Sequence, residues 1–220
     1  MNRKNLRSLA AGVALLMAVG ALAGCGGEKK ADDSKKMVTV GIAQLVEHGA
    51  LDAANKGFVA GMASKGFKEN ENVKYDRQNA QADQSNLQNI AQRFVSNKVD
   101  LICAIATPTA QTMANATKDI PIVATAVTDY EVAKLAASNN EPKGNVTGTS
   151  DMNPIDQQLE LLLKIAPQTK NIGTVYSSSE VNSQLQAELL KKYAAEKGVQ
   201  VEEATVSNVC LLYTSDAADE

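Results

Sequence analysis

The run Val99-Asp-Leu-Ile-Cys-Ala-Ile-Ala106, continued by Thr107-Pro108-Thr109-Ala110-Gln111, decides the fold. Apart from Asp100 the run is apolar throughout, the pattern of a strand buried on both faces. Pro108 loses nothing in the first turn of a helix, where its missing N–H has no partner, so the chain turns helical directly after the strand. A strand covered on both faces belongs inside a parallel sheet, because successive βα crossovers lay their helices on the two sides.

The same unit repeats on either side. Upstream, Val38 to Ala43 reads as a strand. Leu51, Ala54, Phe58 and Met62 recur at helical spacing in a helix from Leu51 to Lys65, which Gly66 closes. Val73 to Asn79 is the next strand, and Asp83 caps a helix to Ser96 that turns Leu87, Ile90, Ala91 and Phe94 inward. Downstream, Pro121 to Thr125 is another buried strand. Residues 139–148 read as a surface connection, with Val146 to Thr149 short enough to be a hinge strand. A second series follows: a helix from Pro154 to Ala166 with Asp151, Asn153 and Pro154 at its start, a strand from Asn171 to Tyr176, a helix from Val181 to Lys197 ended by Gly198, and a strand from Val199 to Val206. The expected fold class is α/β, two lobes of parallel sheet flanked by helices, the first over 37–148 and the second, incomplete, over 149–209. Two strands cannot bury the faces of a parallel sheet, so residues 26–209 alone are expected to be unstable and to bind poorly.

Both ends of the chain stand apart from this pattern. Arg3, Lys4 and Arg7 precede an apolar run from Leu9 to Leu22, and Leu22-Ala-Gly-Cys25 follows. A basic start, a short apolar run and small residues before a cleavage point make residues 1–24 a secretory signal peptide. The run is short for a permanent membrane span. Leu-Ala-Gly-Cys resembles the bacterial lipobox, in which the cysteine sulfur is diacylated. Cys25 is therefore the expected lipidation site, and residues 25–36 the lipidated tether of a domain held on the extracytoplasmic side. At the other end, Cys210 to Glu220 resembles the in-frame translation of a transposase sequencing adapter and is expected to be an artefact.

Bulk chemistry narrows the function. With 22 Lys and Arg against 25 Asp and Glu, the net charge of -3 gives no reason to expect nucleic acid. Cys25, Cys103 and Cys210 are far apart and match no metal-ligand spacing, and with His48 as the single histidine a zinc site or a Ser-His-Asp triad has little to work with. No cofactor, metal or catalytic residue is expected. Aromatic residues make up 4% and Trp is absent, so the core is built mainly from Ala, Val, Ile and Leu.

Five motifs occur in order: Gly-Ile-Ala-Gln-Leu-Val-Glu-His-Gly-Ala-Leu-Asp at 41–52, Ala-Thr-Pro-Thr-Ala-Gln at 106–111, Val-Thr-Asp at 127–129, Asn-Val-Thr-Gly-Thr-Ser-Asp at 145–151, and Tyr-Ser-Ser-Ser-Glu-Val-Asn-Ser at 176–183. Together they resemble bacterial ABC-transporter substrate-binding proteins of the tryptophan/tyrosine type, with the type I periplasmic-binding-protein fold. The resemblance covers Val38 to Asn208. It implies a small-molecule solute, an amino acid with aromatics favoured, a membrane permease as partner, and a monomer. About 100 further residues are expected if the two lobes are similar in size.

In open α/β sheets ligands sit beyond the carboxyl ends of the strands, and each motif lies at such an end. Gln44, Glu47 and His48 follow the first strand. Thr107, Thr109, Ala110 and Gln111 open a helix whose N–H groups and hydroxyls suit a carboxylate. Asp129 suits an ammonium group. Ser150, Tyr176, Ser177, Ser178, Glu180 and Asn182 are expected to close from the other lobe, with Tyr176 offering a stacking surface. The threonines, Asp129 and the serines also read as ordinary helix caps, and Tyr176 as lobe core. Three function classes follow: an importer's solute-binding lipoprotein, an extracytoplasmic ligand sensor on the same fold, and an exported enzyme, for which no nucleophile elbow is visible.

Overall fold

The central strand alternates its loyalties. Ile102 and Ala104 enter one hydrophobic cluster while Cys103 and Ile105 enter another, which is why the run has no polar face. The structure, a computed structural model, describes residues 37–142 and 144–207. The signal peptide, Cys25, the tether and the segment 210–220 lie outside the described residues.

The first lobe runs β1 (Val38–Gln44), α1 (Gly49–Ser64), β2 (Val73–Asn79), α2 (Gln84–Ser96), β3 (Leu101–Ile105), α3 (Thr107–Ala116), β4 (Ile122–Val127) and β5 (Val146–Ser150). Its five strands lie in the order β2-β1-β3-β4-β5, and every pair is parallel. On one face Leu87, Ile90 and Phe94 of α2 and Met113 of α3 are buried with Ile102, Ala104, Ile122 and Ala124. On the other face Leu51, Ala54, Phe58 and Met62 of α1 pack against Val40, Ile42, Tyr75, Cys103 and Ile105. Asp83 caps α2 as its position suggests, its carboxylate accepting from the Asn86 N–H at 2.8 Å.

The chain then crosses to α4 (Ile155–Ile165), β6 (Asn171–Ser177), α5 (Val181–Glu196) and β7 (Gln200–Val206). β6 and β7 form a separate parallel pair. Leu159, Ala194 and Val199 make a small buried cluster with Leu163, Ile172, Leu190, Tyr193 and Val201 around it. Among the described residues nothing covers the opposite face, where Val175 on β6 is 54% exposed, and α4 turns Leu161 and Ile165 to solvent at 58% and 76%. Two strands leave one sheet face without a covering layer, as expected from strand count alone.

Three local expectations differ from what the chain does. β5 extends the first sheet to Ser150, two residues past position 148. The segment after Asp129 forms turns rather than a helix, with the Asp129 carboxylate accepting from the Val132 N–H. Neither Asp151 nor Asn153 caps α4, whose N-cap is Pro154 without a side-chain bond. Asn153 donates instead to Gln186 on α5 at 3.1 Å, so a tertiary partner wins over the local cap.

Burial makes two acids of this lobe weak. It pushes the Cys103 thiol up to about 12, and the Tyr130 hydroxyl likewise to about 12 despite the neighbouring bond to the Thr149 carbonyl. Both groups hold their proton more tightly folded than unfolded. Their contribution is therefore whole below the unfolded values of 9.0 and 10.0 and disappears as pH rises toward 12. Denaturant melts across pH 8 to 12 should show stability flat at first and then falling by about 1.4 kcal/mol per pH unit for each group that titrates. A flat profile to pH 11 would contradict this.

Candidate functional site

The turn between β3 and α3 is built against the grain of its sequence. Ala106 has φ 87° and ψ 152°, a region that is essentially glycine's own and costs a residue with a Cβ about 1–3 kcal/mol. The consequence is a sharp entry into α3. That helix starts with no side-chain cap, and Pro108 supplies no N–H. Its positive end is thus left open at the carboxyl edge of the sheet.

Two hydroxyls are held beside that end. Thr107 is 2% exposed and Thr109 0%, and the Oγ1 atoms of both are buried without a hydrogen-bond partner. A buried hydroxyl left unpaired costs about 1–3 kcal/mol, and native chains leave few of them. Two such hydroxyls stand here within one helical turn. Ala110 is fully buried in the first-lobe cluster and its N–H bonds the Ala106 carbonyl, while Gln111 donates to the Ala133 carbonyl at 3.0 Å. These two residues shape the helix start.

The second lobe reaches the first through the start of α5. Val181 packs against the first-lobe cluster that contains Ala110 and Tyr130. The next residue, Asn182, donates to the Glu180 carboxylate at 3.3 Å, and its Oδ1 is buried with no partner. Ser177 is buried, its hydroxyl 2.9 Å from that of Ser179. Ser178 is exposed and bonds the Val206 carbonyl through both N–H and hydroxyl.

The remaining candidates are occupied locally. The Gln44 amide donates to the Val46 carbonyl and to Asp52 and accepts from Asn55, so it ties β1 to α1. Glu47 and His48 are exposed, and His48 caps α1 by accepting from the Ala50 N–H. Both Asp129 oxygens are engaged, one by the Val132 N–H and one by Asn139. Ser150 donates to the Thr128 carbonyl at 2.7 Å and accepts from the Met152 N–H. Tyr176 lies across its sheet, donating to Glu203 at 3.1 Å, and lines a cleft of about 240 Å³ with Ile155, Gln158 and Gln186. Burial and the Glu203 carboxylate raise its hydroxyl above the usual tyrosine range.

Ala106 and Val181 were not singled out in the sequence, since alanine and valine carry no chemical flag. A larger groove of about 580 Å³ lies between α2 and α3, lined by Gln84, Gln88, Gln92, Thr112 and Asn115, and holds none of the site residues. Among the described residues one further buried side-chain oxygen lacks a partner, the Tyr75 hydroxyl, whose residue sits mid-strand opposite Val40, away from the strand ends.

Known proteins place this arrangement in company. The sequence model of the family described as ABC transporter substrate binding protein matches residues 39–214, running into the segment 210–220. A protein of Clostridioides difficile (strain R20291) named a tyrosine-binding protein is 47% identical over 214 residues, covering 94% of this chain and 61% of that protein. The crystal structure of a Streptococcus pneumonia ABC domain in complex with L-Trp is 44% identical with a TM-score of 0.75, covering 77% of this chain and 57% of that one. A conserved domain protein from Vibrio cholerae, also 44% identical, gives a TM-score of 0.76 over 78% of this chain and 58% of that one. The chain thus spans about three fifths of the length of the relatives it matches.

Proposed function

We propose that this chain, which belongs to the ABC transporter substrate-binding proteins, captures an amino acid between its two lobes and delivers it to a membrane permease. The observation that carries this reading is the pair of buried, unpartnered hydroxyls of Thr107 and Thr109 at the uncapped start of α3. A carboxylate placed there accepts from both hydroxyls and from the free N–H groups of the first turn, and the helix dipole favours its charge. Asn182, whose Oδ1 is also unpaired, is an acceptor for the ligand's ammonium group from the opposing lobe. An aromatic side chain is favoured because one relative is named for tyrosine and another is held with L-Trp.

The relatives are named as binding proteins, and binding by closure of two lobes needs no nucleophile or metal. The permease, the monomeric state, the Cys25 lipid anchor and the extracytoplasmic location belong to the same proposal. The anchor is supported by the lipobox-like sequence at 22–25.

A thermal-shift panel of the common amino acids at millimolar concentration, run on the protein with its second lobe completed, tests the reading. The aromatic amino acids should raise the melting midpoint, since a ligand at a hundredfold excess over its Kd stabilises by about 2.7 kcal/mol. A panel in which no amino acid moves the melt would overturn it.

A further inference from the structure

We propose that the Tyr130 hydroxyl is the pivot of lobe movement, one phenolic hydrogen shared between the Ala124 carbonyl of β4 and the Thr149 carbonyl of β5. This rests on the reading that the lobes close around a solute. Tyr130 would be a positioning residue, touching no ligand and acting through β5.

The place is set by the topology. Among the described residues β5 is the edge strand of the first sheet, and the chain leaves its end at Ser150 to enter α4 of the second lobe after four intervening residues. A change in the angle between lobes therefore bears on the end of β5, where the chain passes from the first lobe to the second. The Tyr130 ring is buried in the first-lobe cluster, and its own N–H is fixed to Asn139 at 2.7 Å, so the ring does not travel with β5. Its oxygen stands 2.9 Å from the Ala124 oxygen and 3.2 Å from the Thr149 oxygen. A phenol has one hydrogen to donate, so it can fully satisfy only one of these two carbonyls at a time. The shorter bond holds a fixed strand and the longer one holds the strand that leads away.

The surrounding backbone makes room for the arrangement. Pairing of β4 with β5 slips between Ala124 and Val127, and Ala126 within the slip has φ 55°, an unusual conformation for alanine. Gly148 lies opposite Ala124, and a Cβ there would collide with both the Ala124 carbonyl and the Tyr130 hydroxyl. The exit is then strapped by the Asp151 N–H to the Val127 carbonyl at 3.1 Å and by the Ser150 hydroxyl to the Thr128 carbonyl at 2.7 Å. Removing the Tyr130 oxygen leaves the straps and the ring in place, and takes away only the shared hydrogen.

Hydrogen exchange on the full chain without ligand, wild type against Tyr130→Phe, decides the matter. The expected result is exchange at the amides of Asp151 and Met152 accelerated roughly three- to tenfold, the cost of one net hydrogen bond, with β1 and β3 unchanged. Unchanged exchange at those amides overturns the proposal. Equal acceleration across the whole first sheet overturns it as well, because the hydroxyl would then serve core packing only. Dissociation of L-tryptophan followed by stopped flow should quicken in the same variant. If the wild type binds no amino acid, the capture reading fails, while the exchange result still judges the pivot.

Discussion

Phe94→Ala is expected to remove about 3–5 kcal/mol of stability, enough to unfold much of the chain at 25 °C. Phe94 is fully buried at the last turn of α2, and it heads the fully buried side chains by volume. Its ring lies flat on β1 where there is no side chain: a Cβ built on Gly41 would stand 2.7 Å from the nearest ring carbon. The glycine and the aromatic ring are two halves of one contact, so no neighbour can move in to refill the space. The second lobe cannot compensate, since its buried cluster holds three residues and its apolar Val175 and Ile165 face solvent. Urea denaturation followed by circular dichroism measures the effect. A loss below about 1 kcal/mol would mean that the α2 face of the sheet is not the main source of stability.

The second large effect separates binding from folding. Thr107→Val with Thr109→Val should leave the ligand-free melt equal or higher, because valine removes two buried hydroxyls that have no partner. Ligand affinity should fall at least tenfold for each substitution, since hydrogen bonds to a charged group are worth about 1.5–3 kcal/mol. Calorimetric titration with L-tryptophan or L-tyrosine reads the loss. Two hydroxyls that served only as helix caps would give the opposite pattern, with stability lost and affinity kept.

The order of elements was legible because β3 announces its environment so clearly. A run with no polar face requires two covered sides, and the helical spacing of Leu51, Ala54, Phe58 and Met62 supplies one of them. The position of Thr107 and Thr109 at the start of α3 was legible as well, since Pro108 fixes where the helix begins. The neighbouring polar residues were harder to sort. Gln44, His48, Asp129 and Ser150 also follow strands, but each spends its side chain on a bond within the lobe. Nothing in a sequence separates a polar group facing a cleft from one facing its own loop, because both choices are local hydrogen bonds of similar strength. The positive φ at Ala106 and Ala126 was illegible altogether, as glycine, Asn and Asp are the residues that signal such a conformation and alanine is not among them. Tyr176 shows the remaining gap: its reach across the sheet to Glu203 depends on the register of β6 with β7, which only the folded pair displays.

The proposed seat for a carboxylate at the start of α3 can be tested directly in a 15N-labelled sample. Addition of L-tryptophan at millimolar concentration should shift the amide signals of Thr107 and Thr109, and L-tryptophan amide, which lacks the carboxylate, should leave them in place. Equal shifts with both compounds, or movement confined to residues away from the ends of β3 and β6, would contradict capture of an amino acid at this site.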